Sequence, residues 1–212
     1  APDYIYCDQS VKDGLVLALK TEIKRQFGDY PLTNKDYGRI ISEKHFDRLV
    51  GLMDGYKIIY GGKCERETLQ IAPTLMDRVD FDDPVMQDEI FGPVLPILTY
   101  TNLDEAIQKV RVRPHPLALY VFSRDKVLSE HIMDSIGFGG GCINDTVIHL
   151  ATDQLPFGGF GESGMGSYHG KAGFEAFSHY KSVVDKATWF DVPVRYQPYT
   201  VLKKKLVQRM MK

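Results

Sequence analysis

Cysteine is scarce in this chain: its 212 residues hold three, Cys7, Cys64 and Cys142, and they lie far apart. That spacing excludes the paired ligands of a zinc ribbon and the dense bridges of a small secreted scaffold, and it fits a reducing, cytoplasmic compartment. Metal is not expected, because His149 and His169 flank a glycine-rich stretch without the partner pattern that a site needs. Long apolar runs are also absent, and nothing approaches the ~20 residues that cross a bilayer as a helix. Charge of one sign is missing from the chain as a whole, whose formal net charge is -2. Mixed signs at that balance give no concentrated positive face for a nucleic-acid backbone, so no nucleic acid is expected. The opening Ala1-Pro2-Asp3-Tyr4 has neither methionine nor the basic and apolar regions of a leader. No targeting segment is read there, and the beginning resembles a cut in a longer polypeptide.

What is present is ordinary globular material, 43% hydrophobic and 25% charged, enough for one sizeable core or two small ones. Ser10 and Asp13 resemble a capping box for Val11, Leu15, Ala18, Leu19 and Ile23, a helical stripe that ends at Gly28. A second helix is predicted from Ser42, with Phe46, Leu49, Val50 and Met53 on one face, stopping at Asp54-Gly55. Short β-rich runs come next at Lys57 to Tyr60, Gln70 to Met76 and Val94 to Tyr100. Asn102 and Glu105 then cap a helix over Leu103 to Val112, and Leu117 to Phe122 reads as an apolar strand. Leu128, Ile132, Met133 and Ile136 mark another helix, and Gly141 to Ile143 leads into Asn144-Asp145. Apolar strands alternating with amphipathic helices are the pattern of an α/β fold, a mostly parallel open sheet flanked by helices on both faces.

From Asn144 to Ser178 the chain is rich in Gly, Pro and His and weakly periodic, which is where such a sheet carries its functional loops. Beyond it, Tyr180 to Asp185 and Ala187 to Val192 read as extended segments of a projecting arm. The expected organisation is one α/β domain over 1–178, the arm over 179–193 and a basic helical tail over 194–212. Val192 to Lys212 holds six basic residues and no acidic one, and Tyr199, Leu202, Leu206 and Met210 share a helical face. Two uses stay open for that tail: packing on the body as a terminal helix, or docking onto a protein or an anionic membrane surface.

Several motifs lose their appeal in context. Gly159-Phe160-Gly161-Glu162-Ser163-Gly164 matches G-x-G-x-x-G letter for letter, but Pro156 interrupts the run before it, and Gly166 and Gly170 interrupt the run after it. Gly161-Glu162-Ser163-Gly164 misses the G-x-S-x-G nucleophile spacing by one position. Cys7 lies in an apolar run and reads as buried and inert, whereas Cys142 comes after three glycines and reads as a small packing residue. Cys64 has Lys63 and Arg66 nearby to depress its pKa, but no base in sequence.

Two stretches are not explained by packing alone. Asp88-Glu89-Ile90-Phe91-Gly92-Pro93 puts an acid and an aromatic two residues apart ahead of a strand, so both project to one side. Leu155-Pro156-Phe157-Gly158-Gly159 presents an aromatic on a backbone that, lacking Cβ atoms, can approach a ligand closely. A pocket for a ribose or sugar and a surface carboxylate beside a core phenylalanine both fit these residues.

In order and spacing, Glu89-Ile90-Phe91-Gly92-Pro93 and Pro156-Phe157-Gly158-Gly159 resemble signatures of the aldehyde dehydrogenase superfamily. Asp36-Tyr37-Gly38-Arg39-Ile40-Ile41, Gly164 to Gly170 and Phe174 to His179 are similar to its class 3, fatty-aldehyde-dehydrogenase-like branch, and the likeness runs from Ala1 to about Pro193. The resemblance implies the catalytic-domain fold of that family, an aldehyde substrate, NAD or NADP as coenzyme, and a homodimer formed through the strand arm. Residue by residue, it implies that Glu89 accepts hydrogen bonds from the nicotinamide ribose and that Phe91 packs beside ribose and nicotinamide. Phe157, Leu150 and Ala151 would line the aldehyde channel, and Asn144 would lie close to the catalytic centre. The nucleophilic cysteine is expected two residues before Ala1, with the general-base glutamate, the oxyanion asparagine and the dinucleotide-binding domain further upstream. On that expectation the chain by itself is an inactive C-terminal portion of the enzyme. A reading from a different class is a non-catalytic domain that dimerises through its arm.

Overall fold

Three short apolar runs, whose successive residues enter different cores, build a sheet with two apolar faces. In the computed structural model, which describes residues 1–211, β1 (Ile5–Asp8), β5 (Thr74–Met76) and β6 (Val94–Tyr100) run parallel, and β2 (Ile58–Tyr60) adds antiparallel to β5, giving the order β1-β6-β5-β2. Tyr4, Tyr6, Met76, Val94 and Leu98 point into one core with Phe46 and Leu49 of α2 (Glu43–Leu52). Ile5, Cys7, Leu75, Leu95 and Ile97 point into the other with Leu15, Leu19 and Ile23 of α1 (Lys12–Phe27). Successive residues of a strand face opposite sides, so a helix on each face is what these runs require.

A small antiparallel hairpin joins β3 (Cys64–Glu65) to β4 (Gln70–Ile71), and a parallel pair joins β7 (Ala118–Val121) to β8 (Gly140–Ile143). The helices α3 (Leu103–Arg111), α4 (Lys126–Ser135) and α5 (Gly170–Ala176) complete this first unit, Ala1–Ala176. A second unit, Phe177–Lys212, carries α6 (Val201–Met210).

Differences from the sequence expectations have local causes. Ser10 does not cap α1: its backbone N–H and hydroxyl both donate to Asp8 Oδ1, and the helix starts without a side-chain cap. Ser42, Asn102 and Asp125 do cap α2, α3 and α4, each accepting from the backbone N–H three residues on. The run from Gln70 to Met76 divides into β4 and β5 around Pro73, which has no N–H to give a ladder. The arm segments Tyr180 to Asp185 and Ala187 to Val192 form no strand among the described residues, since an extended segment becomes a strand only by pairing with another.

Two anchors bear on the site. Leu49 is fully buried, and a Cβ on Gly92 would come within 2.6 Å of its methyls, so the loop ahead of β6 lies directly on α2. The Tyr37 hydroxyl donates to Ile71 O at 2.5 Å, tying the Asp36-to-Ile41 motif to β4, and burial pushes its pKa up to about 12. Leu49→Ala is expected to lower the unfolding free energy by about 2–5 kcal/mol, read from the urea midpoint at unchanged slope. A second expectation concerns Lys57, whose ammonium lies 2.5 Å from Asp83. That bond and the Asp80 N–H hold the Asp83 carboxyl below the usual range. A depressed acid stabilises above its unfolded pKa and loses that contribution as pH falls through the folded one. Lys57→Met should therefore destabilise the protein at neutral pH, and the gap in urea midpoints should close well below about pH 4.

Candidate functional site

Ile90 is buried in the α2-side core, so the residues on either side of it, Glu89 and Phe91, are left outside. The Ile90 N–H donates to Asp3 Oδ1 at 2.9 Å, and the Arg48 guanidinium donates to the carbonyls of both Ile90 and Glu89. Partial burial raises the Asp3 pKa, an effect that the Ile90 N–H and the nearby positive charges oppose without cancelling. Phe91 sits at φ +54°, a left-handed conformation uncommon for a residue with a bulky side chain, and the residue is 70% exposed. Its only ring neighbour among the described residues is His45, at 6.2 Å between centroids. The Glu89 carboxylate has no ion pair or hydrogen bond among the described residues. A held backbone thus presents an unpaired carboxylate and an open aromatic face, which suits paired hydroxyls and a flat ring system.

The second group lies at the ends of β7 and β8. Asn144 comes directly after β8 at φ +58°, and its carboxamide accepts from the Ser123 N–H and donates to the Ser123 carbonyl, both at 2.9 Å. It acts as a clasp between the ends of the two strands, and asparagine tolerates that backbone conformation better than most residues. Val147, at φ +64°, leads into the short turn Ile148–Leu150, which leaves Leu150 and Ala151 exposed. Phe157 is half-buried, and its backbone exchanges two 2.9 Å hydrogen bonds with Tyr168. Around its ring stand His149 at 5.8 Å, Tyr168 at 5.7 Å and His169 at 6.0 Å.

Sequence reasoning missed a pairing here: Cys142 Sγ lies 3.5 Å from His149 Nδ1, and both residues are buried. The spacing of seven residues carries no recognisable signal, because the turn that folds His149 back over β8 is irregular. The ring seats on Gly140, where a Cβ would approach His149 Cδ2 to 2.9 Å. His149 Nε2 and His169 Nδ1 are buried without a hydrogen-bond partner among the described residues.

Of the remaining readings, that of a depressed Cys64 pKa is corrected, whereas those of Cys7 as buried and of the G-x-G-x-x-G segment as lacking its strand and helix hold. The glycines after Phe157 serve packing within the loop: a Cβ on Gly158 would lie 2.2 Å from the Gly166 carbonyl, and one on Gly159 would lie 2.4 Å from that of Ser163. The G-x-G-x-x-G segment is a turn closed by the Ser163 hydroxyl on Phe160, with no strand before it and no helix opened by it. The Cys64 pKa is raised by desolvation, not depressed, since Arg66 is engaged by Asp47 and Glu43. Cys7 is buried, with its thiol directed at the Leu98 carbonyl, and burial pushes its pKa up as well.

The two groups are not joined by any hydrogen bond or ring contact among the described residues. A polar depression of about 140 Å³, lined by Tyr6, Thr99, Tyr100, Asn102, Glu105 and Lys109 among others, contains none of the residues singled out from the sequence. Removing the clasp should be costly: Asn144→Ala is expected to lose about 1–3 kcal/mol of stability, because two hydrogen bonds go and alanine is strained at that backbone angle. Asn144→Gly should lose less, and equal urea midpoints for the two variants would contradict the backbone part of this account.

Comparison with known proteins places these motifs in context. Residues 1–183 match the aldehyde dehydrogenase family profile. A 4,4'-diaponeurosporen-aldehyde dehydrogenase of Staphylococcus aureus is 47% identical over 94% of this chain and 44% of its own length. Aldehyde dehydrogenase family 3 member H1 of Arabidopsis thaliana is 45% identical over 100% of this chain and 44% of its own. The substrate-bound structure of Staphylococcus aureus AldH superposes with a TM-score of 0.91 at 46% identity, covering 100% of this chain and 46% of that one. The chain therefore spans under half the length of these relatives. The matched profile, the family 3 relatives and the shared architecture together show that the chain belongs to the aldehyde dehydrogenase family, in its class 3 branch.

Proposed function

We propose that this chain is the C-terminal catalytic-domain portion of an NAD(P)-dependent aldehyde dehydrogenase that oxidises aldehydes to carboxylic acids through a cysteine thiohemiacetal. The observation that carries this reading is the exposed Glu89–Phe91 pair on a backbone held by Asp3 and Arg48. The residues fit the coenzyme: the unpaired Glu89 carboxylate would accept from ribose hydroxyls, and the open Phe91 face would pack beside ribose and nicotinamide. When bound, the coenzyme supplies the hydride acceptor. A bovine relative is named dimeric and NADP-preferring, and a Staphylococcus aureus betaine aldehyde dehydrogenase of 28% identity has a structure in complex with NAD+.

Phe157, Leu150 and Ala151 would form an apolar wall of the aldehyde channel, steadied by the His149 and Tyr168 rings and by the Asn144 clasp. None of the chain's own cysteines suits the nucleophile's role. Cys7 and Cys142 are buried, and the Cys64 thiol is desolvated upward. The thiolate, the base that activates water for release of the acid, and the coenzyme domain would come from polypeptide outside this chain. The stretch 179–193 would pair with a second subunit in a homodimer, the partner that an extended segment without a ladder of its own requires. Three free cysteines in unrelated places fit the cytoplasm.

Assays of NAD(P)-dependent aldehyde oxidation should show no turnover for the 212-residue chain and normal turnover for the intact enzyme. Activity in the isolated chain would refute the assignment of the nucleophile. In the intact enzyme, Glu89→Gln should raise the coenzyme KM by about 5- to 150-fold, the equivalent of losing a charge-assisted hydrogen bond of about 1–3 kcal/mol. An unchanged coenzyme KM would remove Glu89 from the site.

A further inference from the structure

We propose that His149, anchored by Cys142, is the positioning residue that holds Phe157 in place as a wall of the aldehyde channel; this rests on the reading of Phe157 as part of that channel. Gly140 and Cys142 stand two apart on β8, so both present the same face of the strand. The turn Ile148–Leu150 lays the His149 ring over that face, and the residue is only 8% exposed. Gly140, without a side chain, lets the ring seat on the strand backbone, and Cys142 offers it a hydrogen-bond partner one step further along the same face.

Cys142 Sγ and His149 Nδ1, 3.5 Å apart, share one hydrogen bond whose proton either atom can carry. At the other end of the ring, Nε2 is buried without a partner among the described residues. For stability alone this is a poor choice, because a phenyl ring would fill the same space with no polar atom to desolvate. What the imidazole has and a phenyl lacks is a bond that fixes the rotation of its ring. That orientation is passed on, since the ring also packs beside Tyr120 of β7 at 5.9 Å and Phe157 at 5.8 Å between centroids. Rings packed in this way constrain one another, because opening a gap of about 1 Å forfeits much of the contact energy.

The other ring neighbours of Phe157 do not serve as such an anchor. Tyr168, which shares its backbone bridge, is 55% exposed, and His169 follows it at φ +84°. Both belong to the glycine-rich loop that carries Phe157 and would move with it. Among the described residues, His149 is the one ring neighbour of Phe157 that is hydrogen-bonded to a side chain of a strand. Through it the sheet, rather than the loop, fixes where the phenylalanine ring stands.

The test is made in the intact enzyme, with hexanal and acetaldehyde as substrates. Cys142→Ala removes the anchor and keeps the ring, whereas His149→Phe keeps a ring and removes the anchor. Each should raise the KM for hexanal by about 3- to 10-fold, the worth of one neutral hydrogen bond, with kcat and the coenzyme KM unchanged. The KM for acetaldehyde should move less, since two carbons bury little surface against the wall. Because both substitutions act through one bond, the double variant should be no worse than either alone. Cys142→Ser, which keeps a hydrogen-bonding group at alanine's near volume, should lie closer to the parent than Cys142→Ala, and it guards against a folding defect. Independently of turnover, in protein labelled with para-fluorophenylalanine, the fluorine resonance that Phe157→Leu removes should shift or broaden in Cys142→Ala. Additive effects in the double variant, a coenzyme KM that rises with that for hexanal, or an unmoved Phe157 resonance would overturn the positioning role. If Cys142→Ala and His149→Phe are silent while Phe157→Leu raises the hexanal KM, the channel reading stands and the positioning role falls. If Phe157→Leu is silent as well, both fall.

Discussion

Burying Ile90 obliges Glu89 and Phe91 to face outward, and the functional reading of the chain depends on that constraint. The burial is enforced from three directions: Leu49 of α2 lies beneath Gly92, Asp3 from the segment before β1 takes the Ile90 N–H, and Arg48 takes its carbonyl. The loop cannot relax into a more ordinary backbone conformation without giving up one of these, so Phe91 stays at a positive φ despite its side chain. Fixing the backbone from below would leave only the two side chains to be ordered if a ligand bound there. That lowers the ordering cost of binding.

The second group is organised differently, by polar groups that satisfy one another across irregular backbone. Asn144 stitches the ends of β7 and β8, the Phe157–Tyr168 bridge closes the loop, and His149 wedges between Cys142 and Phe157. Glycines let these pieces approach: a Cβ on Gly139 would lie 2.3 Å from the Gly158 carbonyl, so the loop carrying Phe157 rests directly on the strand. Here the aromatic wall is set by tertiary packing, whereas the Glu89–Phe91 pair is set by one buried neighbour.

Much of the architecture was readable from residue order because it rests on local periodicity. The apolar runs of β1, β5 and β6 with their alternating faces, the stripe of α2 and the caps at Ser42 and Asn102 all arise within a few residues of the chain. Ser10 shows the limit of that reasoning. A carboxylate acceptor and a helix N–H donor compete for one hydroxyl, and the carboxylate of Asp8, at the end of β1, wins. Pro73 likewise divides a run whose hydrophobicity reads as continuous.

By itself the sequence determined the α/β alternation, the pairing of an acid with an aromatic around a buried isoleucine, and the separation of a basic tail from an acidic body. These are properties of neighbours in the chain and of summed charge. Only the tertiary structure decided that Asn144 binds Ser123, that Cys142 meets His149 and that the glycines after Phe157 pack against their own loop. Those choices depend on which irregular segments cross in space, and crossing is governed by the packing of distant elements, which leaves no periodic trace in the order of residues.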